Sequence, residues 1–344
     1  MTGQAPPLSE MLARLIAAPS VSSSQAHLDQ SNLAVIEPLA QWLEAAGFVA
    51  EVMPVPGHAG KANLIATLGQ GQGGLVLAGH TDTVPFDAHR WNHDPFRLTE
   101  EGGRLYGLGT SDMKSFLALA CEAARGLSAK DLRQPLVILA TADEESSMSG
   151  AIALAEAGRP LGRYAVIGEP TGLKPVRMHK GIMAEAIRLI GRAGHSSDPS
   201  LGNNALEGMN EALTAILAWR DELQRTHRHP AFKVPYPTIN PGYIHGGDNP
   251  NRICGECELH LDLRVLPGLD PDALRAELAR RVEAVAGRRG LKWSVEPLFT
   301  PIPPVETPRD AEIVRAGEQL TGHPAESVSF GTEAPFFNQL GMQT

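Results

Sequence analysis

The sequence predicts an α/β protein with a mostly parallel, helix-covered sheet and an inserted α+β domain of ferredoxin-like order. Three short apolar runs without polar alternation, at 74–79, 136–140 and 164–167, are typical of strands buried on both faces of a sheet. Segments with helical spacing of apolar residues alternate with strands, as in a doubly wound parallel sheet. A later region has the order β-α-β-β-α-β, which is that of a ferredoxin-like unit.

The N-terminal part predicts two helices followed by two strands. Apolar residues recur at helical spacing over 8–17 and again from about Ser31 to Gly47. Strands are predicted near 48–54 and 62–68. Gly69–Gly74 formally match a dinucleotide-binding glycine pattern, but that pattern needs a helix directly after it. Because an apolar strand run follows instead, we interpret these glycines as a turn.

The remaining elements divide the chain into two predicted domains. A short strand at 104–107 and a helix at 113–126 belong to the first domain, which comprises 1–177 and 299–344. The inserted domain covers 178–298, and its elements are strands at 182–192, 236–246, 252–265 and 291–297 with helices at 203–225 and 271–286. A helix from about Asp310 and a strand near 326–330 are expected to return to the first domain.

The composition is that of a globular protein of 344 residues, with 42% hydrophobic and 20% charged residues. A formal net charge of −9 argues against a nucleic-acid partner, and three cysteines are too few for a disulfide framework. Met1–Glu10 has no basic region and no apolar core, and no run is long enough to span a membrane. We therefore expect a cytoplasmic protein. Cys254 and Cys257 form a CxxC, but their spacing in a predicted strand places the two sulfurs on opposite faces, which argues against a zinc or redox site.

Polar side chains follow the predicted strands where those strands end, and this pattern points to metal chemistry. The residues concerned are His80, Asp82, Asp112, Glu144, Glu145 and Glu169. The carboxyl ends of parallel strands share one edge of a sheet, and one imidazole among several carboxylates suits one or two divalent metals, zinc or cobalt before calcium. One carboxylate must stay off the metals to take a proton from water, and Glu144 and Glu145 could divide these tasks. The alternative interpretation is an acidic surface cluster.

Five motifs, in one order along the chain, resemble those of the co-catalytic zinc aminoacylase and carboxypeptidase family. They are Gly79–Pro85, Gly109–Lys114, Asp143–Glu145, Gly168–Pro170 and Gly194–Ser196. Further stretches are similar to one branch of the family: Tyr106–Gly109, Pro175–Arg177, His179–Gly181, Asn251–Cys254 and Thr332–Phe336. The resemblance implies a zinc-exopeptidase-like fold and hydrolysis of N-acyl amino acids. A metal-binding or peptide-binding module on the same scaffold is the non-enzyme alternative.

The resemblance also implies roles for individual residues. His80 and Glu169 would bind one metal and Glu145 the other, with Asp112 as the bridge. Glu144 would be the general base and Asp82 the partner that orients His80. In the inserted domain, His195 of the partner subunit would stabilise the oxyanion, which implies a homodimer, and Asn251 and Arg264 would hold the substrate. For Arg264 the alternative is an ion pair on the strand surface.

The family pattern includes a further histidine ligand beyond the Thr332–Phe336 match. The sequence ends at Thr344, before that position, and His323 lies toward the amino end of its neighbouring predicted strand. We therefore expect up to two zinc or cobalt ions per subunit, with the second bound weakly by the chain as written.

Overall fold

A computed structural model describes residues 5–344. The first four residues of Met1–Glu10, the stretch for which no signal peptide is predicted, lie outside the described residues. The α-helices are α1 Leu8–Ala17, α2 Leu33–Ala45, α3 Lys114–Ala123, α4 Ser149–Ala157, α5 Ala205–Thr226, α6 Pro271–Arg289, α7 Glu312–Thr321 and α8 Ala334–Gln339. The strands are β1 Val49–Pro54, β2 Ala62–Leu68, β3 Leu75–His80, β4 Thr99–Glu101, β5 Arg104–Tyr106, β6 Leu136–Thr141, β7 Tyr164–Ile167, β8 Val176–His179, β9 Gly181–Ile190, β10 Thr238–Gly246, β11 Glu256–Val265, β12 Lys292–Pro297, β13 Val305–Glu306 and β14 Glu326–Val328.

The chain forms two compact units, and the first contains a five-stranded sheet of order β1-β2-β6-β3-β7. This unit comprises the chain up to Pro175, Thr307–Pro324 and Glu333–Thr344. The three strands β6, β3 and β7 are parallel, whereas β2 pairs with β6 and β1 pairs with β2 in the antiparallel sense, so the sheet is mixed. The α/β fold class is confirmed, and the parallel strands are the apolar runs identified in the sequence. A strand, β3, follows Gly74, which agrees with the interpretation of the glycine run as a turn.

Helix α3 packs closely on the parallel part of this sheet. A Cβ atom on Gly168, just after β7, would lie 2.0 Å from the ring of Phe116 on α3, and one on Gly79 would lie 2.9 Å from Met113. A side chain at Gly168 would therefore collide with the Phe116 ring, whereas one at Gly79 would require the flexible end of Met113 to move. The core of this unit lies between α1, α2 and α3 and the sheet, where Met11, Ile36 and Leu117 are fully buried.

The second unit contains an antiparallel sheet of order β10-β11-β9-β12, with α5 and α6 as its crossover helices. This strand order, with the sequence β9-α5-β10-β11-α6-β12, is the ferredoxin-like arrangement predicted. Alternate residues of β9 and β11 are buried, and Leu189 and Leu259 pack in one cluster with Met209 of α5 and Leu278 of α6. Because only one face of each strand is buried, apolar and polar residues alternate in this part of the sequence.

The second unit comprises Val176–Glu306 and Ala325–Thr332. It includes a small sheet in which β8 pairs with β13 in the antiparallel and with β14 in the parallel sense. The strand expected near 326–330 is therefore present as β14, but its partner β8 lies in this unit, not in the five-stranded sheet. The pairing partner of a strand is set by residues far away in the sequence, so the local pattern does not predict it.

The two cysteines of the CxxC lie on the same side, contrary to the sequence-based expectation. Strand β11 begins at Glu256, so Cys254 precedes it and is not held to strand alternation. Cys254 and Cys257 are both buried in the core of the second unit, and the Cys254 thiol donates to the Glu256 carbonyl oxygen at 3.0 Å. Within residues 5–344, no helix has the length and apolar character to cross a membrane.

Candidate metal centre

His80 and Asp82 lie at the carboxyl end of β3 and are buried, with exposed fractions of 1% and 0%. The His80 Nε2 atom is 3.0 Å from Asp112 Oδ1, and its Nδ1 atom is 3.1 Å from the Asp82 carbonyl oxygen and 3.5 Å from Asp82 Oδ1. Burial lowers the pKa of His80, but hydrogen bonds to Asp112 and Asp82 outweigh it, so the pKa is raised well above its usual value. The imidazole thus contacts the Asp112 carboxylate through Nε2 and both the carbonyl oxygen and the carboxylate of Asp82 through Nδ1.

Asp82 connects His80 to the loop that follows β6. Its carboxylate accepts the backbone N–H groups of Glu144 at 3.2 Å and Glu145 at 3.0 Å. Burial raises the pKa of Asp82, but the contact with His80 and the N–H group of Glu145 lower it by more, so the pKa lies below its usual value and the carboxyl group stays ionised. Because His80 and Thr141 are paired across β3 and β6, both strand ends reach the same edge of the sheet. Asp82 therefore orients His80 and the Glu144–Glu145 backbone together.

Two groups of side chains in the described chain are close enough to hold metal ions. In one, ligand atoms of His80, Glu144 and Glu169 lie within 4.8 Å of one another; in the other, those of His80, Asp112 and Glu145 do. His80 belongs to both groups, so the two potential sites are adjacent. All six residues singled out at strand ends, Asp82 included, are brought together in the first unit.

The carboxyl groups of this cluster are buried close together, where their negative charges would repel one another, and a divalent cation would reduce that repulsion. Burial raises the pKa of Glu144 well above its usual value and those of Glu145 and Glu169 to about 7, and neighbouring carboxylates add to the effect. Among the described residues, the buried Oε1 atom of Glu169 has no hydrogen-bond partner. An imidazole with several carboxylates matches the ligand preferences of zinc or cobalt, so the residues present fit such a centre.

Glu333 is a residue of this region that the sequence reasoning passed over. It is fully buried just before α8, and burial raises its pKa to about 8, with a smaller opposing effect of the Thr141 hydroxyl. Within the described chain, neither of its carboxylate oxygens has a partner with hydrogen-bond geometry. Its charge acts on Glu144, whose pKa it raises. The signal in the sequence was the Thr332–Phe336 match, to which no role was assigned.

The three substrate-related predictions, His195, Asn251 and Arg264, lie in the second unit. His195 pairs through an isolated bridge with Arg252, and the backbone N–H of Ser196 donates to the Asn251 carbonyl oxygen at 2.9 Å, so these two loops are joined. The His195 side chain is 2.7 Å from the Ser197 hydroxyl. Arg264, on β11, donates to Asp262 at 3.0 Å, which is the surface ion pair considered as its alternative.

The stability of the metal-free protein is expected to fall as the pH rises from about 4.5 to 8. The pKa values of Glu145, Glu169 and Glu333 are higher in the folded protein than in the unfolded chain, so the folded protein binds protons more tightly. This tighter binding stabilises the fold below pH 4.5, and the stabilisation is lost by pH 7–8. His80 shifts in the same direction, while the lowered pKa of Asp82 acts only below pH 4. Thermal unfolding with and without zinc checks this: the stabilisation by zinc should grow with pH, and a metal-free protein of constant or rising stability would contradict it.

The sequence of this chain is similar to those of known proteins. Residues 76–344 match the model of "Peptidase family M20/M25/M40". An acetylornithine deacetylase of Proteus mirabilis is 52% identical over 97% of this chain and 87% of its own length, and one of Pectobacterium carotovorum is 50% identical over 97% and 88%.

Solved structures share the fold. An aminopeptidase of Bacillus cereus aligns with a TM-score of 0.73 at 21% identity, covering 97% of this chain and 87% of that one. A metallo-carboxypeptidase of the M20 family from Sulfolobus solfataricus aligns with a TM-score of 0.71 at 17% identity, covering 98% and 90%. A Bacillus subtilis protein described as a dinuclear metal-binding peptidase of that family aligns at 0.64 and 16%, covering 96% and 85%. The family match extends over most of the chain and includes every residue of the candidate metal centre, so this chain belongs to the peptidase family M20/M25/M40.

Proposed function

We propose that the chain is a metal-dependent amidohydrolase that removes the acetyl group from N2-acetyl-L-ornithine, giving L-ornithine and acetate in arginine biosynthesis. The observation that carries this proposal is the likeness to two acetylornithine deacetylases, at 52% and 50% identity over 97% of the chain. The candidate metal centre supports it, because His80 and the surrounding carboxylates provide ligands together with a spare carboxyl group. The three cysteines are free and buried, which fits a cytoplasmic enzyme.

In this proposal His80 and Glu169 would hold one zinc or cobalt ion and Glu145 a second, and Asp112 would serve as a ligand to both. A divalent metal, when bound there, supplies positive charge that makes water more acidic and stabilises negative charge on a carbonyl oxygen. Asp82 keeps His80 in orientation through its short contacts to the ring and the loop.

Glu144 is the proposed general base. It takes the proton of the attacking water and later delivers it to the nitrogen of the leaving amine, which a carboxyl group with a raised pKa can do near neutral pH. Its neighbour Glu145 has its backbone held by the same Asp82 carboxylate. The two side chains belong to different potential ligand groups, which supports separate tasks for them.

The second unit is proposed to bind substrate and to form a homodimer. Arg264 would exchange its ion pair with Asp262 for the α-carboxylate of the substrate, which a guanidinium binds in bidentate fashion, and Asn251 would contact the same ligand. His195 of the partner subunit would stabilise the oxyanion. Mixing inactive His195→Ala subunits with inactive Glu144→Gln subunits tests the shared site: recovered activity is expected, and none after verified subunit exchange would contradict it.

A competition assay among acylated amino acids tests the substrate. The zinc- or cobalt-loaded protein is given N-acetylornithine, N-acetylcitrulline, N-succinyl-diaminopimelate and other N-acetylamino acids together, and kcat/KM is measured for each. We expect N-acetylornithine to be the best substrate. If desuccinylase, acetylcitrulline deacetylase or broad aminoacylase activity dominates, the specific proposal fails while the hydrolase chemistry stands; if none is cleaved, a non-catalytic binding role is favoured.

A further inference from the structure

Lys61 is a buried cation in contact with the loop that carries Glu144 and Glu145. It directly precedes β2 and is only 4% exposed. Its Nζ atom donates to Asp143 Oδ1 at 2.6 Å and to Asp29 Oδ1 at 2.8 Å. Burial lowers the pKa of Lys61, but the two carboxylates more than compensate and raise it, so the ammonium group is charged. An ammonium group this far from water has lost its hydration, so its ion pairs with the two carboxylates must compensate for that loss.

Asp143, its main partner, is held at both its side chain and its backbone. The carboxylate is buried and also accepts the hydroxyl groups of Ser22 at 3.1 Å and Ser149 at 2.9 Å. The backbone has φ of +58°, a left-handed conformation that costs energy for a residue other than glycine. Its carbonyl oxygen accepts the N–H groups of Ser147 and Met148. The side-chain contacts therefore stabilise a turn that the backbone alone would not favour.

This turn decides where the next two residues lie. Directly after Asp143, the N–H groups of Glu144 and Glu145 both point to the Asp82 carboxylate. Three consecutive acidic residues at one strand end repel one another, and Lys61 compensates the first of them. Without that compensation the buried Asp143 carboxylate would draw in water or move outward, and the turn would move with it.

We propose that Lys61 is a positioning residue for the reaction: through Asp143 it holds the turn from which Glu144 and Glu145 reach the metal centre. The inference rests on the roles assigned to those two glutamates in the proposed function. Supporting groups of this kind matter because a reacting side chain must be held to within a fraction of an ångström, and the neighbours that lock it determine that precision.

The test compares Lys61→Met with the double variant Lys61→Met/Asp143→Asn and with Asp29→Asn as the matched control. Lys61→Met leaves the buried Asp143 carboxylate without its ammonium partner, with the His58 ring at 3.7 Å as its remaining ionisable contact, and is expected to lower the unfolding temperature. The double variant removes both buried charges, and its asparagine tolerates a positive φ, so its stability should recover. The amide oxygen accepts from one of the two serine hydroxyls, Ser22 or Ser149, and the amide NH2 donates to the other. The control removes only the more exposed partner of Lys61, whose side chain is 34% exposed.

We expect Lys61→Met to lower kcat and zinc affinity about 10–100-fold, as for other groups that support metal ligands, with KM little changed. The double variant has no uncompensated buried carboxylate, so it should recover most of both quantities together with stability. Asp29→Asn should match wild type in all three quantities. A Lys61→Met protein that is folded under the assay conditions and has wild-type kcat and zinc affinity would overturn the proposal and leave Lys61 a role in stability alone. A double variant that regains its stability but neither kcat nor zinc affinity would also contradict an action of Lys61 through Asp143. Activity is measured on whichever N-acyl amino acid wild type cleaves best, and zinc titration of the metal-free protein needs no substrate. Failure of the substrate assignment is therefore distinct from failure of this inference.

Discussion

Replacing Glu144 by glutamine is expected to lower kcat by about 10³-fold while the bound zinc stays at the wild-type level. A carboxamide has nearly the same shape as the carboxyl group but cannot accept the proton of the attacking water. The substitution also removes one negative charge from a crowded group, in which burial and the neighbouring Glu169 and Glu333 carboxylates raise the pKa of Glu144. Folding stability should therefore not fall. The measurements are kcat, metal content by elemental analysis and the unfolding temperature.

Glu145→Gln is the matched control for this variant, since the two side chains are neighbours on one loop. The geometry leaves two assignments for Glu144, because its carboxylate lies within ligand distance of His80 and Glu169. If it were a ligand, Glu144→Gln would lose zinc along with activity. If Glu145 is the ligand, as proposed, the loss of zinc affinity appears in Glu145→Gln instead. A Glu144→Gln variant with near-normal kcat would show that another group is the base.

Replacing His80 by alanine is expected to abolish firm zinc binding and, with it, activity. His80 is the member common to both potential ligand groups, so its removal affects both sites at once. Carboxylates alone hold zinc less selectively than a site with an imidazole, and the remaining carboxyl groups would repel one another without a cation. The loss of zinc affinity should exceed the roughly 100-fold that removal of a supporting group such as Asp82 causes. Titration of the metal-free proteins with zinc measures the loss of affinity in the His80 and the Asp82 variants.

An exposed histidine provides the control for this second prediction. His89 lies on the surface of the first unit, and His89→Ala should leave zinc affinity and kcat unchanged. Because the pKa of His80 is raised by its carboxylate contacts, zinc must displace a proton from wild type at mildly acidic pH. Zinc affinity of wild type should therefore rise with pH, and a His80→Ala protein with wild-type affinity would exclude His80 as a ligand.

Several features of the site were predictable because they depend on local sequence. An apolar run that ends in polar residues marks both a buried strand and its carboxyl end, and the parallel strands β3, β6 and β7 place those ends at one edge of a sheet. His80, Asp82, Glu144 and Glu169 could be selected in this way before any pairing was known. The ferredoxin-like order was predictable for the same reason, since alternation and helical periodicity are properties of short windows.

Other elements carry little local signal. Helix α4 is built largely from small residues, Ser149, Gly150 and several alanines, and has no clear polar and apolar faces. Helix α8 is a single short segment, and β8 is a strand of four residues. The buried positions of Cys254 and Cys257 depended on where β11 begins, which is set by its pairing with β9. Short elements gain their stability from tertiary packing, so propensity and periodicity do not find them.

The sequence by itself determined which chemical groups stand at the strand ends and, from their types, that the site suits a divalent metal. Only the tertiary structure decided which of them meet, how their charges are balanced and what supports them. Lys61 and Asp143 are 82 positions apart and would each be expected on the surface, yet they form a buried ion pair at 2.6 Å. The physical reason is that strand order and burial are set by packing over the whole unit, whereas sequence patterns report only the residues next to one another along the chain.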